Sequence, residues 1–417
     1  MFISQEYYED WSFIKRIWCK FVVSYFSLYI ILTFLSSAFE TPFRWLGDVF
    51  LGINYDYNVI GYGSGDNTYA YVTLFGNLLL ALISTIIWQV TDHNRRSYNK
   101  VFYWFTVLVR IYLVFFMFTY GFAKVFQTQF PPPDLRRLLQ PLGEFSPMGL
   151  AWTYMGYSKG FNIFAGGMEV LGGLLLIPRR TQTLGALVTV GVMLQVAMMN
   201  FFFDIPVKLF SVHLILLAAI LFTADLKRLF AVFGKNNSET SYSRYHPVDE
   251  PFYHKFIAGF KIVACLILAG LMMNQGIKRE KTWGPKRELP PMYGIWEANI
   301  FVKNEDTLAP LMNDTERWRY LLIDYKERAT IKLMDNTEIR CSFLLDSTLN
   351  SVSIFKRSED TLTNNFIYYN PNKEFLELNG SLNTRDSLKI IFSRINPDSM
   401  LLRKRRFRWI NERPYNR

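Results

Sequence analysis

The chain has 417 residues, half of them hydrophobic and 17% aromatic, with a formal net charge of +11. So apolar a body argues against a soluble nucleic-acid binder, because its Lys and Arg residues sit between apolar runs, where membrane proteins keep cytoplasmic charge. Three cysteines without a CxxC exclude a local dithiol centre or thiolate zinc site.

In chain order, residues 1–12 carry Glu6, Glu9 and Asp10 ahead of Lys15 and Arg16, and the apolar run that follows is long for a cleaved signal. It reads as an uncleaved signal anchor. Seven apolar stretches fill the first two thirds, at residues 17–39, 70–90, 101–126, 161–177, 184–203, 209–223 and 256–275. A crossing helix takes about 20 mainly apolar residues; the fourth and sixth stretches are shorter.

Loop charges set the orientation. Lys15, Arg16 and Lys20 flank the first stretch, and Arg95, Arg96 and Lys100 separate the second from the third. Arg179 and Arg180 follow the fourth, and Lys227, Arg228, Lys235, Arg244 and Lys255 follow the sixth. The first opposite loop holds Arg44 alone; the next holds Arg136, Arg137 and Lys159 but is long, and only Lys208 lies near the third. This alternation predicts seven crossings in a bacterial cytoplasmic membrane, the N-terminus cytoplasmic and the C-terminal domain periplasmic.

Ionisable groups inside a bilayer are costly and mark function or pairing. Arg110 lies well inside the third stretch and Glu169 inside the fourth, entered from the opposite face, so equal depth predicts an intramembrane Arg110–Glu169 pair. A second group gathers at the outer boundary: Lys124 ends the third stretch, Asn200 and Asp204 end the fifth, and Lys208 and His213 begin the sixth. Pro206 stops the preceding helix. These five residues are expected to line one outer polar cavity. Each group also fits a structural role: an ion pair that holds register, or interfacial lysines that snorkel beside a turn-forming Asp.

Between the third and fourth stretches, residues 127–160 include Pro131, Pro132, Pro133, Pro141 and Pro147. This length and its apolar content predict an outer cap over the polar cavity, with a short helix near residues 134–139. The fourth stretch reads Gly166-Gly167-Met-Glu169-Val-Leu-Gly172-Gly173, small residues that let helices approach closely. No GxxxxGK[ST] is present, which removes a phosphate loop. Of His93, His213, His246 and His254, only His213 falls within a stretch, so bis-histidine haem is not expected, and no metal site is predicted.

From about Trp283 the character changes. Short alternating runs at 295–301, 320–325, 330–334, 339–344, 351–355, 366–369, 375–378 and 388–392 alternate with turn signals such as Asp335-Asn336 and Asn379-Gly380. Eight strands in so short a span predict an antiparallel barrel or sandwich. The fold class is therefore a polytopic α-helical membrane bundle followed by an all-β barrel-like domain. The segments divide as two N-terminal membrane helices (1–100), a four-helix unit (101–230), a cytoplasmic loop with the seventh helix (231–283) and the β domain (284–417).

Residues 110–230 resemble the DoxX-like family of small bacterial membrane proteins. The likeness is carried by Arg110, Tyr120-Gly121-Phe-Ala-Lys124, Glu169-Val-Leu-Gly172-Gly173, Arg179-Arg180, Gly185-Ala186 and Asp225-Leu-Lys-Arg228. It implies a four-helix membrane unit and, since some members belong to thiosulfate:quinone oxidoreductase, a quinone as cofactor. The opening Gly294-Ile-Trp296, with Arg403 and Arg406 near the end, resembles the lipocalin pattern. That likeness implies a Trp plugging the barrel floor beneath a stacked guanidinium.

The expected function is the handling of a small or lipidic substrate at the outer face, in quinone-linked redox. The alternative is a non-enzymatic assembly or transport component whose β domain binds a periplasmic protein partner. A third reading, a membrane catalyst using Lys124 or Lys208 as base, rests on desolvated lysine chemistry. Expected partners are membrane lipid and a small hydrophobic ligand or periplasmic protein, with no nucleic acid.

Overall fold

The computed structural model describes residues 10–59, 63–235, 251–356, 364–382, 386–405 and 407–414. Glu6, Glu9, Arg244, His246 and Arg406 lie outside the described residues, as does the side chain of His254. The chain forms two compact units: Met1–Pro131 with Ser146–Pro285, and Pro132–Phe145 with Lys286–Arg417.

The first unit is helical. Its elements are α1 (Phe13–Leu35), α2 (Glu40–Leu51), α3 (Thr68–Thr91), α4 (Asn99–Val125), α6 (Pro147–Tyr157), α7 (Lys159–Leu176), α8 (Gln182–Phe202), α9 (Lys208–Phe222), α10 (Leu226–Lys235) and α11 (Pro251–Thr282). A fifth short helix, α5 (Leu135–Leu138), belongs to the other unit. Local chemistry sets the starts. Ser12, Asn67, Ser146 and Ser158 each accept an amide in the first turn of α1, α3, α6 and α7. Pro147 follows its cap, where a missing N–H costs nothing.

The core between α4, α7, α8 and α9 is built from Leu113, Met117, Phe118, Leu176, Ala186, Leu214 and Leu217. The outward faces stay apolar: Leu82, Ile83, Ile86, Ile87 and Val90 of α3 are exposed, as are Leu266, Ile267 and Leu271 of α11. Helices satisfy their own backbone groups and present hydrocarbon outward, as a bilayer requires. The protein is a multi-pass membrane protein.

Among the described residues, five helical stretches are long and apolar enough to cross: Phe13–Leu51, Thr68–Thr91, Asn99–Val125, Arg179–Phe202 and Lys255–Thr282. The expectation of seven counted α7 and α9 as well. These have 18 and 15 residues, short of the roughly 20 that span a hydrocarbon core. Both pack into the same bundle as α4 and α8.

The second unit is an antiparallel β-barrel. Its strands are β1 (Gly294–Lys303), the two-residue β2 (Asp306–Thr307), β3 (Trp318–Tyr325), β4 (Arg328–Leu333), β5 (Glu338–Asp346), β6 (Ser351–Lys356), β7 (Asn364–Asn372), β8 (Phe375–Leu382) and β9 (Asp386–Ile395). Each long strand pairs with the next, and β1 pairs with β9 to close the ring, which leaves eight strands without a free edge. Seven of the eight runs expected from alternation lie within these strands, and the run at 330–334 passes the end of β4 by one residue. Alternate side chains, including Trp296, Phe301, Leu321, Phe343, Phe366 and Phe392, fill the interior.

Two details differ from the expectation. Asn379-Gly380 is not a turn: β8 runs through it, and Gly380 pairs with both Phe366 and Leu388. Glycine is required there, because a Cβ would stand 2.1 Å from the Asn365 carbonyl oxygen. The guanidinium near Trp296 is that of Arg394, 6.0 Å from the ring centroid, not Arg403. Arg394 is the residue paired with Trp296 across β1 and β9, whereas Arg403 bonds the Pro133 carbonyl. Trp296 is buried, and its indole N–H donates to the Met292 carbonyl.

Residues 132–145 pack on this barrel although they lie between α4 and α6 in the chain. The helix expected near residues 134–139 is α5. Leu135 is fully buried against Ile295 and Leu322. The Leu135 amide donates to Asp324, which also pairs with Arg287. Arg136 pairs with Glu338, and Lys332 donates to the Leu139 carbonyl.

Cys341 faces the barrel core, where burial pushes its thiol pKa up to about 12. Thiolate is the reactive form. Iodoacetamide at pH 8 should therefore leave Cys341 unmodified in the folded protein and alkylate it in denaturant. Peptide mass spectrometry reads both states. Full alkylation of the native chain would place Cys341 outside the core.

Candidate functional site

The site lies within the helical unit, where α4 and α7 touch backbone to backbone. A Cβ on Gly121 would stand 2.8 Å from the Gly166 carbonyl oxygen, and a Cβ on Gly166 would stand 2.4 Å from that of Gly121. Glycine at both positions permits the approach. One turn beyond each glycine, Lys124 and Glu169 meet: Lys124 Nζ lies 2.7 Å from Glu169 Oε1. Both side chains are buried, at 6% and 2% exposure. Of the repeated glycines in α7, Gly166, Gly172 and Gly173 lie against neighbours, and Gly167 faces open space.

The expected Arg110–Glu169 pair is not formed. Arg110 donates from Nε to the Leu176 carbonyl at 2.7 Å and from its terminal nitrogen to the Ile177 carbonyl. The reason is where α7 stops. Its last carbonyls lack intrahelical donors, and they lie beside Arg110. Glu169 sits two turns back along α7, about 10 Å away, at the level of Lys124. Equal depth for Arg110 and Glu169 assumed that α7 starts level with the end of α4, whereas Gly121 near that end meets Gly166, seven residues into α7.

Lys124 and Glu169 line a cavity of about 280 Å³ with Asn200. Its walls are otherwise mostly apolar: Tyr120 and Phe210, the Phe130–Trp152 edge contact, and methionines such as Met155 and Met193. The residues that follow α4, Gln129 and Phe130, form part of the wall, as do Met148, Trp152 and Met155 of α6. Of the segment expected to cap the polar group, these parts do line the cavity, whereas residues 132–145 pack on the β-barrel. Asn200 donates to the Val207 carbonyl and ties the end of α8 to the start of α9.

The other outer residues are placed elsewhere. Asp204 is exposed and pairs with Lys208 at 3.0 Å. Neither of them lines the cavity, whose wall at this turn is Ile205, Pro206 and Val207. His213 faces α1, while Phe210, Ser211 and Leu214 of the same helix face the cavity. Its Nδ1 is 2.7 Å from the Leu209 carbonyl, which requires a proton there. Its Nε2 then accepts from the Tyr25 hydroxyl at 2.9 Å, and the Tyr29 ring stacks on it at 4.0 Å.

Several contributors were not assigned to the site from the sequence. Asp66 accepts the amides of Lys208 and Leu209 at 2.7 and 3.0 Å, capping α9 from a distant loop. Tyr120 and Gln129 complete the cavity wall. Tyr120 falls one helical turn before Lys124, and that spacing was the available signal; nothing local links Asp66 to α9. Among the described residues no cluster of His, Cys, Asp and Glu could hold a metal.

In comparison with known proteins, the chain is 32% identical over 133 residues to the uncharacterized protein YwoB of Bacillus subtilis. The match covers 79% of that protein and 30% of this chain. No family profile matches the chain, and no solved structure matches it.

Proposed function

Over the stretch they share, this chain belongs to the same family as the uncharacterized YwoB of Bacillus subtilis, and for this chain we propose, on its own residues, a membrane protein of DoxX-like type that handles a small lipophilic substrate in quinone-linked redox. The observation that carries the reading is the apolar cavity with a buried Lys124–Glu169 pair at its wall. A largely preformed apolar pocket with few polar groups is the usual form of a small-ligand site. The DoxX-like reading draws support from the arrangement of α4, α7, α8 and α9 as one bundle, and from Tyr120, Lys124 and Glu169 standing together at the cavity. Ligand handling needs the cavity alone; quinone chemistry is the specific substrate that the resemblance adds.

The test is an organic extract of the purified full chain. A co-extracted lipophile whose ultraviolet spectrum changes on borohydride reduction is the expected result. An extract holding bulk membrane lipid only, from protein that retains its fold, would remove the quinone.

The proposed orientation puts the β-barrel in the periplasm, supported by the Lys and Arg bias of the loops. Alkaline phosphatase fused after Trp283 should be active, and a cytoplasmic reporter at the same site silent. The reverse pattern would invert the topology.

A second reading, an assembly component, is favoured by the end of the β unit. Phe407, Trp409 and Ile410 are exposed, Trp409 at 90%. An exposed aromatic cluster of this kind suits a protein partner. Recovery of one periplasmic protein by the full chain, lost on Trp409→Ala, would favour it.

A further inference from the structure

We infer that the Lys124–Glu169 pair selects a neutral, hydroxyl-bearing aromatic of about one ring in size, and prefers a hydroquinone to the matching quinone. The inference rests on the proposed ligand site and names what that site recognises.

Charge comes first. Lys124 and Glu169 neutralise each other. A charged ligand would bring a net charge into a low-dielectric site with no counter-ion, which is strongly unfavourable. The ligand is therefore neutral.

Hydrogen bonding comes second. Glu169 Oε1 accepts from Lys124, but Glu169 Oε2 has no partner among the described residues although the side chain is 2% exposed. Gln129 Oε1, on the same cavity wall, is also unpartnered. Both are acceptors. Buried acceptors left unmade are costly, so the complementary ligand must donate. Lys124 Nζ has three protons and gives one to Glu169, so it can also serve an acceptor. A hydroxyl does both: it donates to Glu169 Oε2 and accepts from Lys124 Nζ. A quinone carbonyl accepts only and leaves the carboxylate oxygen unpaired.

Size and surface come third. The cavity, about 280 Å³, falls at the lower edge of the roughly 300–1,000 Å³ typical of small-molecule pockets. Tyr120, Phe130, Trp152 and Phe210 offer aromatic faces and edges, and the methionines adapt to ring edges. One substituted ring fits this volume.

The test uses the full chain in detergent with three probes that share a short alkyl chain: a hydroquinone, its benzoquinone and its dimethyl ether. Binding is read by calorimetry. The hydroquinone should bind about 10- to 100-fold more tightly than either comparator, the range expected when a buried acceptor is satisfied instead of orphaned. In the double variant Lys124→Met with Glu169→Met, the preference should fall by about tenfold, because only the neutral Gln129 Oε1 remains as an unmade acceptor. Equal binding of hydroquinone and quinone to the natural chain would overturn the inference and leave the ligand site standing. Binding of none of the three would overturn the ligand site itself, and the inference with it.

Discussion

Glu169→Leu should lower the stability of the helical unit by about 3 kcal/mol, because it strands the Lys124 charge in a buried site. Lys124 is 6% exposed and has Glu169 as its carboxylate partner. Its other near neighbours are the Tyr120 and Phe130 rings, at 5.8 and 5.9 Å. Such contacts supply about 0.5–2 kcal/mol and do not replace a counter-ion. Lys124→Leu should cost a similar amount by stranding the carboxylate. The double variant Lys124→Met with Glu169→Met should return to within about 1 kcal/mol of the natural chain, since a buried pair replaced by apolar residues is often neutral. Thermal unfolding in detergent measures all three. A double variant as unstable as the singles would mean that the damage comes from helix packing at Gly121 and Gly166, not from the unpaired charge.

Leu135→Ala should destabilise the β-barrel by about 2–4 kcal/mol, the usual cost of emptying a fully buried leucine site. Leu135 lies between two membrane-unit helices in sequence, yet it is buried against Ile295 and Leu322. Cys341 reports the outcome, because its alkylation in graded denaturant tracks opening of the barrel. A midpoint unchanged by the substitution would mean that residues 132–145 add nothing to the barrel. Asp324, which accepts the Leu135 amide, adds a pH signature. Burial raises its pKa above the ordinary carboxylate value, outweighing Arg287 and the amide, which lower it. The folded state thus holds the proton more tightly than the unfolded state, so this group's contribution to stability falls as pH rises from the ordinary value to the raised one. In Asp324→Asn that fall should disappear from the pH profile of the denaturant midpoint read by tryptophan fluorescence, since thiol alkylation does not proceed at carboxylate pH.

The membrane character and the barrel strands were legible in the sequence, because both follow from local pattern. An apolar run of sufficient length has to become a helix in lipid, where every backbone group must be bonded within the segment. An alternating run of the 295–301 kind has to put one face inward, since the side-chain period of a strand is two. Close helix approach in the fourth stretch was legible for the same kind of reason, as Gly166 and Gly172 lack the Cβ that would hold a neighbour away. What each polar group meets was not legible. Glu169 pairs with Lys124 instead of Arg110 because Gly121 packs against Gly166, and that register, not the spacing within either helix, sets which groups lie level. His213 and Ser211 face different neighbours because two residues along a helix rotate a side chain by about 200°. Asp66 caps α9, and Arg394 stands over Trp296, through contacts between segments far apart in the chain. Asn379-Gly380 reads as a turn but continues a strand, since the approach of the Asn365 carbonyl, not local preference, requires glycine there. Sequence alone determined the membrane helices that are long enough to span and the core of each barrel strand, because periodicity and burial act over neighbouring residues. Only the tertiary structure decided which charge answers which and which unit holds residues 132–145, because those outcomes depend on helix ends, rotations and long-range packing that no short window contains.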